Sequence, residues 1–273
     1  MVDVVVIGNV CFDEGCFLRE DGSFDIHRTH GGAGYFSSIG ANLFAKTGLV
    51  AKVGEDYDLK IFNKFSNIDT TGIQKINGVE TTVFRTVFHS LDGKNRTITG
   101  DVSKNLLLSG EDVLKKYSSA KFFHIATNEP EIQIELIRKI RKISNAKISI
   151  DTIKYYTENP LTKQAFDLVD IAIIEDEFYS LMNSNAPTKI IKHGKFGVDL
   201  VEGDKITEFK NKEIVRNVID KTGAGDIFAG SLVGVLSTGK DIKKAIPIAM
   251  KTATESIKDY GVEHLLTNGK ELI

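Results

Sequence analysis

The chain lacks several features that would point to particular classes of protein. Its formal net charge is only −2, so no overall basic field exists to hold nucleic acid or an anionic membrane. The longest apolar runs, such as Val4 to Ile7 and Ile171 to Ile174, have the length of strands and are too short to span a bilayer. No basic and apolar leader precedes the first of them, so we expect a cytoplasmic protein without a nucleic-acid or membrane partner.

Cysteine and proline are also scarce. The two cysteines are Cys11 and Cys16, and a reducing cytosol disfavours a disulfide between them. No second Cys or His pair has the spacing of a zinc site, so we expect both to be buried or to line a pocket. Four prolines are too few to mark a linker. The length of 273 residues, of which 41% are hydrophobic, suits a single domain over 1–273.

Short β-branched segments alternate with longer segments of helical period along most of the chain. This alternation predicts an α/β fold with a mostly parallel sheet covered by helices on both faces. The expected core strands are Val2 to Gly8, Leu49 to Val53, Lys121 to Ala126, Lys147 to Asp151, Ile171 to Ile174 and Lys189 to Lys192. The expected helices are Gly34 to Lys46, Tyr57 to Ser66, Ser109 to Lys116, Glu131 to Ile143, Asp176 to Met182, Ala224 to Thr238 and Asp241 to Asp259.

Two segments interrupt this alternation. Phe17 to His30 contains an Asp21-Gly22 turn signal, and Val79 to Thr99 alternates apolar and polar residues around Asp92-Gly93. Both patterns predict β-hairpins. We expect the hairpins to form a small separate sheet, and the alternative is that they are edge strands of the main sheet.

The segment Asp220-Lys-Thr-Gly-Ala-Gly-Asp226 precedes an apolar run of helical period. Gly223 and Gly225 permit turns that other residues avoid, so successive backbone N–H groups can point outward at the positive end of the helix. Asp226 would stand beside a phosphate bound there and could accept a proton. The alternative is a tight turn with an aspartate that favours the helix dipole. The clustering of both glycines with two aspartates and Thr222 favours a phosphate site.

Three segments carry a resemblance to the ribokinase (PfkB) family of small-molecule kinases. Residues Asp220 to Gly230 resemble its C-terminal signature, except at Lys221, where the family usually has Thr. Gly31-Gly-Ala-Gly34 resembles its N-terminal signature, in which a Gly-Gly pair opens a helix. Gly8 to Asp13 resembles its first strand, whose terminal aspartate binds substrate hydroxyls.

The resemblance implies both a fold and an activity. The fold is a ribokinase-like three-layer α/β/α sandwich, with lid strands within 9–30 and 79–100 that keep water away from the reacting phosphate. The activity is ATP-dependent phosphorylation of a hydroxyl group on a small sugar, a cyclitol or a nucleoside, with Mg²⁺ as cofactor. Whether a monovalent cation also binds, and whether the lids pair two copies into a homodimer, is left open.

Besides Lys221, the sequence departs from the family pattern at three places. Phe36 stands where most sugar kinases have Asn, which is similar to the inositol-kinase branch. Glu175 and Phe178 stand where the family has an Asn-x-x-Glu motif that organises magnesium and phosphate. Lys192 replaces the Thr of a Thr-x-Gly-x-x-Gly nucleotide turn, where it could supply a point charge for phosphate.

The resemblance assigns a role to individual residues. Asp226 is implied as the general base, with an anion hole formed by Gly223, Ala224 and Gly225. Acceptor contacts are implied for Asp13, Gly31, Gly32, Phe36, Arg85 and Arg96. Nucleotide contacts are implied for Lys192, Gly194, Gly197, Thr222 and Ala253, and metal contacts for Glu175, Glu177 and Asp220.

Two other functions remain as alternatives. The altered Asn-x-x-Glu motif and Lys192 are compatible with a nucleotide- or metabolite-binding protein that has no catalytic activity. An NAD-dependent oxidoreductase has less support, because the first strand is not followed by Gly-x-Gly-x-x-Gly. The P-loop motif is absent as well.

Overall fold

A computed structural model describes residues 1–90, 96–100, 102–212, 215 and 218–268. The described strands are β1 (Val4–Ile7), β2 (Cys11–Leu18), β3 (Phe24–Gly31), β4 (Thr47–Gly54), β5 (Ile68–Ile76), β6 (Val83–Phe88), β7 (Arg96–Thr99), β8 (Phe122–Ile125), β9 (Lys147–Ile150), β10 (Ile171–Glu175), β11 (Thr188–Lys192), β12 (Gly197–Glu202) and β13 (Lys205–Lys210). The described α-helices are α1 (Ala33–Asn42), α2 (Pro130–Ile143), α3 (Pro160–Asp167), α4 (Tyr179–Met182), α5 (Ala224–Ser237), α6 (Ile242–Ser256) and α7 (Glu263–Asn268).

The main sheet runs in the order β13-β12-β11-β10-β9-β8-β1-β4-β5 within the described residues. Neighbouring strands from β11 to β5 are parallel, and β12 and β13 extend one edge in antiparallel fashion. All four residues of β1 are fully buried, because helices cover both faces of the sheet. The predicted α/β class and all six predicted core strands are confirmed.

The helix predictions are confirmed for α1, α2, α5 and α6, and in part for Asp176 to Met182, where α4 covers the last four residues. They are wrong for residues 57–66 and 109–116. Residues 57–66 contain a 3₁₀-helix, Leu59–Lys64, and residues 109–116 contain two short 3₁₀ turns. In the second segment the Asp112 carboxylate accepts a hydrogen bond from the Ser109 N–H group, which competes with an α-helix. Among the described residues, every helix is too short or too polar to pass through a lipid bilayer.

A four-stranded sheet, in the order β3-β2-β6-β7, lies apart from the main sheet. The hairpin of β2 and β3 turns at the predicted Asp21-Gly22, whereas the Asp92-Gly93 turn lies outside the described residues. The separate small sheet is therefore confirmed, and the edge-strand alternative is wrong. Cys11 and Cys16 lie on β2 and are both buried and free, as predicted.

Helices α1 and α5 pack against each other backbone to backbone. A Cβ atom on Gly230 of α5 would overlap the carbonyl oxygen of Ser37, and one on Gly40 of α1 would lie 2.5 Å from the carbonyl oxygen of Ile227. Hydrogen at both positions permits this close approach. Because α1 begins after Gly32 and α5 begins after Gly223, the contact fixes the distance between the two glycine turns.

We predict that Gly230→Ala lowers the free energy of unfolding by about 1–3 kcal/mol, because the added methyl group overpacks the helix contact. Chemical denaturation measures the change. Gly110→Ala is the control, since its methyl group would meet only side chains, those of Glu135 and Lys139. Equal stability of the two variants would show that the helices are not in tight contact.

Candidate active site

Three charged side chains meet where neighbouring parallel strands end. Asp151 follows β9, Glu175 ends β10 and Lys192 ends β11. The Lys192 Nζ atom lies 3.0 Å from Asp151 Oδ2 and 2.8 Å from Glu175 Oε1. Burial opposes the positive charge, but the two carboxylates outweigh it and raise the pKa of Lys192. Lys192 therefore carries a buried ammonium group at this edge of the sheet.

The glycine turn of α5 lies directly over this ammonium group. Gly223 caps the helix with φ of +73°, in the left-handed region that favours glycine. A Cβ atom on Gly225 would lie 3.2 Å from the Lys192 Nζ atom. The first N–H groups of a helix have no partner within it, so this turn can bind an anion.

Asp226 stands in the first turn of α5 and is half-buried. Burial is the largest influence on its carboxyl group, followed by the negative charge of Asp151, and together with other neighbours they raise its pKa to about 7. Lys192 acts in the opposite direction. A carboxyl group of this kind can take up or release a proton near neutral pH.

Asp13 belongs to the same cluster of charges and lies at the second glycine turn. Its carboxylate lies so close to Gly31 that a Cβ atom there would overlap it, and it accepts a hydrogen bond from the backbone of Gly32. Burial raises the pKa of Asp13 to about 6. Its negative charge also contributes to the raised pKa of Asp226.

Phe36, Arg85 and Arg96, the other residues predicted to contact the acceptor, have not been placed beside Asp13 by any contact that the structure describes. Phe36 is only 2% exposed, and its ring lies against Gly223, beneath the turn rather than in an open cleft. The exposed Arg85 forms an ion pair with Glu14 of the neighbouring strand. Arg96 is the first residue of β7. Sequence reasoning did not foresee the contact between Phe36 and Gly223, because it depends on how α1 and α5 cross.

A cavity of about 410 Å³ opens beside the turn. It is within the size range of sites for small molecules. Polar and turn residues on its wall include the predicted Lys192, Gly194, Gly197, Ala224 and Gly225, and also Glu175, Lys195, Lys221 and Asn211. Its apolar wall is formed by Val198, Val215, Val218, Phe228, Met250, Ala253 and Ile257.

The acidic residues predicted to bind a metal are each held by donors of the protein. Glu175 pairs with Lys192, and Glu177 pairs with Lys154 at 3.6 Å. The two carboxylate oxygens of Asp220 accept hydrogen bonds from the N–H groups of Thr222 and Gly261, so Asp220 shapes the loop. In the part of the chain that the structure describes, no three His, Cys, Asp or Glu side chains gather where they could hold a metal ion. Magnesium binding by Glu175, Glu177 or Asp220 therefore stays a prediction.

Comparison with known proteins identifies relatives along the whole chain. The model of the pfkB family carbohydrate kinase matches residues 1–268. The cytidine kinase of Thermococcus kodakarensis is 25% identical over 96% of this chain and 98% of its own length. The nucleoside kinase of Burkholderia thailandensis in complex with inosine superposes with a TM-score of 0.80 at 14% identity, covering 95% of this chain and 93% of its own.

The ribokinase of Arabidopsis thaliana complexed with ribose and ATP has a TM-score of 0.78 at 17% identity, covering 99% of this chain and 98% of its own. At such identities the likeness is one of fold. It confirms the ribokinase-like arrangement that the sequence predicted.

Proposed function

The chain belongs to the pfkB family of carbohydrate kinases, and on that premise we propose that it transfers the terminal phosphoryl group of ATP to a hydroxyl group of a nucleoside or small sugar. The observation that carries the proposal is Asp226, a carboxyl group with a pKa raised to about 7 at the N-terminus of a helix. It lies next to an anion-binding turn and beside a buried ammonium group.

The reaction follows from these groups. The acceptor hydroxyl oxygen forms a bond to the terminal phosphorus, and its proton passes to the Asp226 carboxylate. The bond between that phosphorus and the oxygen bridging to ADP breaks, so ADP leaves with the bonding electron pair. The N–H groups of Gly223, Ala224 and Gly225 stabilise the negative charge on the transferred group. Magnesium ion enters with the nucleotide as part of the substrate.

The cavity beside the turn suits the donor nucleotide. Its apolar wall, which includes Met250 and Ala253, can cover a flat base, and Lys195 and Lys221, which also line the cavity, can attract the phosphates. Gly194 begins a 3₁₀ turn that also lines the cavity, and Gly197 follows its last residue, with positive φ at both glycines. Thr222 precedes the anion hole, and its contact with nucleotide stays a prediction.

The acceptor is best placed between the two glycine turns. Asp13 can accept hydrogen bonds from two adjacent hydroxyls, and Gly31 and Gly32 border it. Phe36 supports the anion hole from below. We favour a nucleoside as acceptor, because relatives named cytidine kinase and nucleoside kinase each match 96% of this chain, whereas relatives named ribokinase match 85% and 91% of it. Contacts by Arg85 and Arg96, closure of the small sheet as a lid, dimerisation and a monovalent cation stay predictions.

A screen for ADP release tests the proposal directly. The purified protein with MgATP is offered cytidine, adenosine, inosine, ribose, fructose and myo-inositol, one at a time. We expect acceptor-dependent ADP formation with at least one nucleoside or sugar. If no compound of the panel gives ADP release although ATP binding is measurable, the alternative of a nucleotide-binding protein without catalytic activity is favoured.

We predict that Asp226→Asn lowers kcat by several orders of magnitude with little change in ATP affinity. The amide cannot take the hydroxyl proton, whereas the anion hole stays intact. Steady-state kinetics and calorimetric ATP titration measure the two effects. Asp241→Asn is the matched control, because Asp241 only caps α6 and Asn caps helices equally well. Near-normal turnover in Asp226→Asn would contradict the assignment of the base.

The raised pKa of Asp226 also sets the pH dependence. The base must be ionised in the free enzyme, so kcat/KM should rise roughly tenfold per pH unit below about pH 7 and level off above it. The free energy of unfolding changes with pH in the opposite direction to kcat/KM. A carboxyl group with a raised folded pKa stabilises most below its unfolded pKa and loses that contribution as the pH rises through about 7. Asp226→Asn should therefore be more stable than the wild type at pH 8, and equal stability would contradict the burial of this charge.

A further inference from the structure

The strongest unexplained feature of the site is the pair formed by Glu175 and Lys192. They are directly opposite each other in the register of β10 and β11. They are also two of the positions at which the chain departs from the pattern that it otherwise resembles, with Glu for Asn and Lys for Thr. The chain thus has an ion pair where the pattern that it resembles has two neutral side chains, with the Nζ and Oε1 atoms 2.8 Å apart.

The ammonium group is placed where a bound phosphate would meet it. The Lys192 side chain is 9% exposed, and it lines the cavity beside Ala224 and Gly225. A Cβ atom on Gly225 would lie 3.2 Å from the Nζ atom. The backbone of the proposed anion hole is therefore close to the Lys192 ammonium group. An oxygen atom bound to the N–H groups of this turn is consequently within reach of the lysine.

The carboxylates around Lys192 make a cation necessary at this position if phosphate is to bind nearby. Asp13, Asp151, Glu175 and Asp226 all bear on the same region, and each raises the pKa of a neighbour or has its own pKa raised. Phosphate oxygens cannot approach Asp151 and Glu175 unless a positive charge lies between them. The carboxylates do not gather with a third ligand into a metal site among the described residues. Lys192 already lies between the two.

We propose that Lys192 is a resident cation that contacts the phosphates of the nucleotide and stands where a protein-bound metal ion would otherwise lie, between Asp151 and Glu175. The inference rests on the proposed function, since it assumes a nucleotide in the cavity. It makes two statements that can be measured without turnover. Lys192 binds phosphate, and its removal frees two carboxylates for a divalent cation.

The first experiment compares ATP with adenine, which lacks both the phosphates and the hydroxyl groups of an acceptor, by calorimetry in the absence of metal. Lys192→Met should weaken ATP binding by roughly 10- to 100-fold, the range for a hydrogen bond to a charged group. Adenine binding should not change. Lys192→Arg should retain most of the ATP affinity, because the positive charge stays. If Lys192 had a purely structural role, its replacement would change the affinity for both ligands alike or for neither.

Two further variants control for a loss of stability. Loss of the lysine leaves two carboxylates unpaired, so the titration is repeated in Lys192→Met combined with Glu175→Gln, which leaves one fewer negative charge. Lys52→Met is the matched control, because Lys52 is also mostly buried and pairs with Asp112 at 2.9 Å. It lies on β4, five strand spacings from β11 and so about 24 Å away. Its removal should leave the affinity for ATP relative to adenine unchanged.

The second experiment measures Mn²⁺ binding to the protein without nucleotide by electron paramagnetic resonance. The wild type should bind no Mn²⁺ at this position, Lys192→Ser should bind one ion, and Lys192→Ser with Asp151→Asn should lose it. Absence of Mn²⁺ binding in Lys192→Ser would overturn the idea that the lysine stands in for a metal ion.

The outcomes separate this inference from the proposed function. If the wild type binds ATP and Lys192→Met binds it equally well, the phosphate contact is overturned and the proposed function stands. If the wild type binds no ATP, the proposed function fails and the inference fails with it. A selective loss of ATP affinity, with gain of the Mn²⁺ site, supports both statements.

Discussion

The site depends first on the close packing of α1 against α5. Each helix begins at a glycine turn, one beside Asp13 and the other beside Asp226, and the helix contact holds the two turns at a fixed separation. Gly230 meets the backbone of α1, and the ring of Phe36 fills the space under Gly223. A side chain at either glycine would push the helices apart. The geometry for phosphoryl transfer is thus set by a packing constraint that lies outside the cavity itself.

Electrostatics form the second constraint, because the site gathers more negative than positive charge before any ligand binds. Burial and neighbouring carboxylates raise the pKa of Asp226 to about 7 and that of Asp13 to about 6. This arrangement suits Asp226 to the proposed role of base near neutral pH, and it also opposes the entry of a polyphosphate. The buried ammonium of Lys192 and the lysines at the rim of the cavity reduce that opposition.

The sequence was informative where a local pattern determines the structure. Core strands such as β1 are continuous apolar runs because both faces are covered, and the Asp220 to Asp226 segment combines a turn, a helix start and a carboxylate within seven residues. It was uninformative where several distant segments determine the outcome. The edge strands β12 and β13 carry many charged residues and were missed, and the 3₁₀ turns follow from side-chain hydrogen bonds. The meeting of Asp151, Glu175 and Lys192 follows from the order of three strands, which no local pattern reveals.

The pairing of Glu175 with Lys192 across β10 and β11 changes how departures from a family pattern should be weighed. Taken one at a time, Glu175 and Lys192 each suggest a damaged motif and thus a protein that has lost catalysis. Because the strand register places them opposite each other, the negative charge of one meets the positive charge of the other. The buried Asp151 carboxylate without the lysine would be strongly unfavourable, as would the buried lysine without its carboxylates. The pair therefore preserves the charge balance beneath the anion hole, and with Asp226 in place the altered motif is no argument against a kinase.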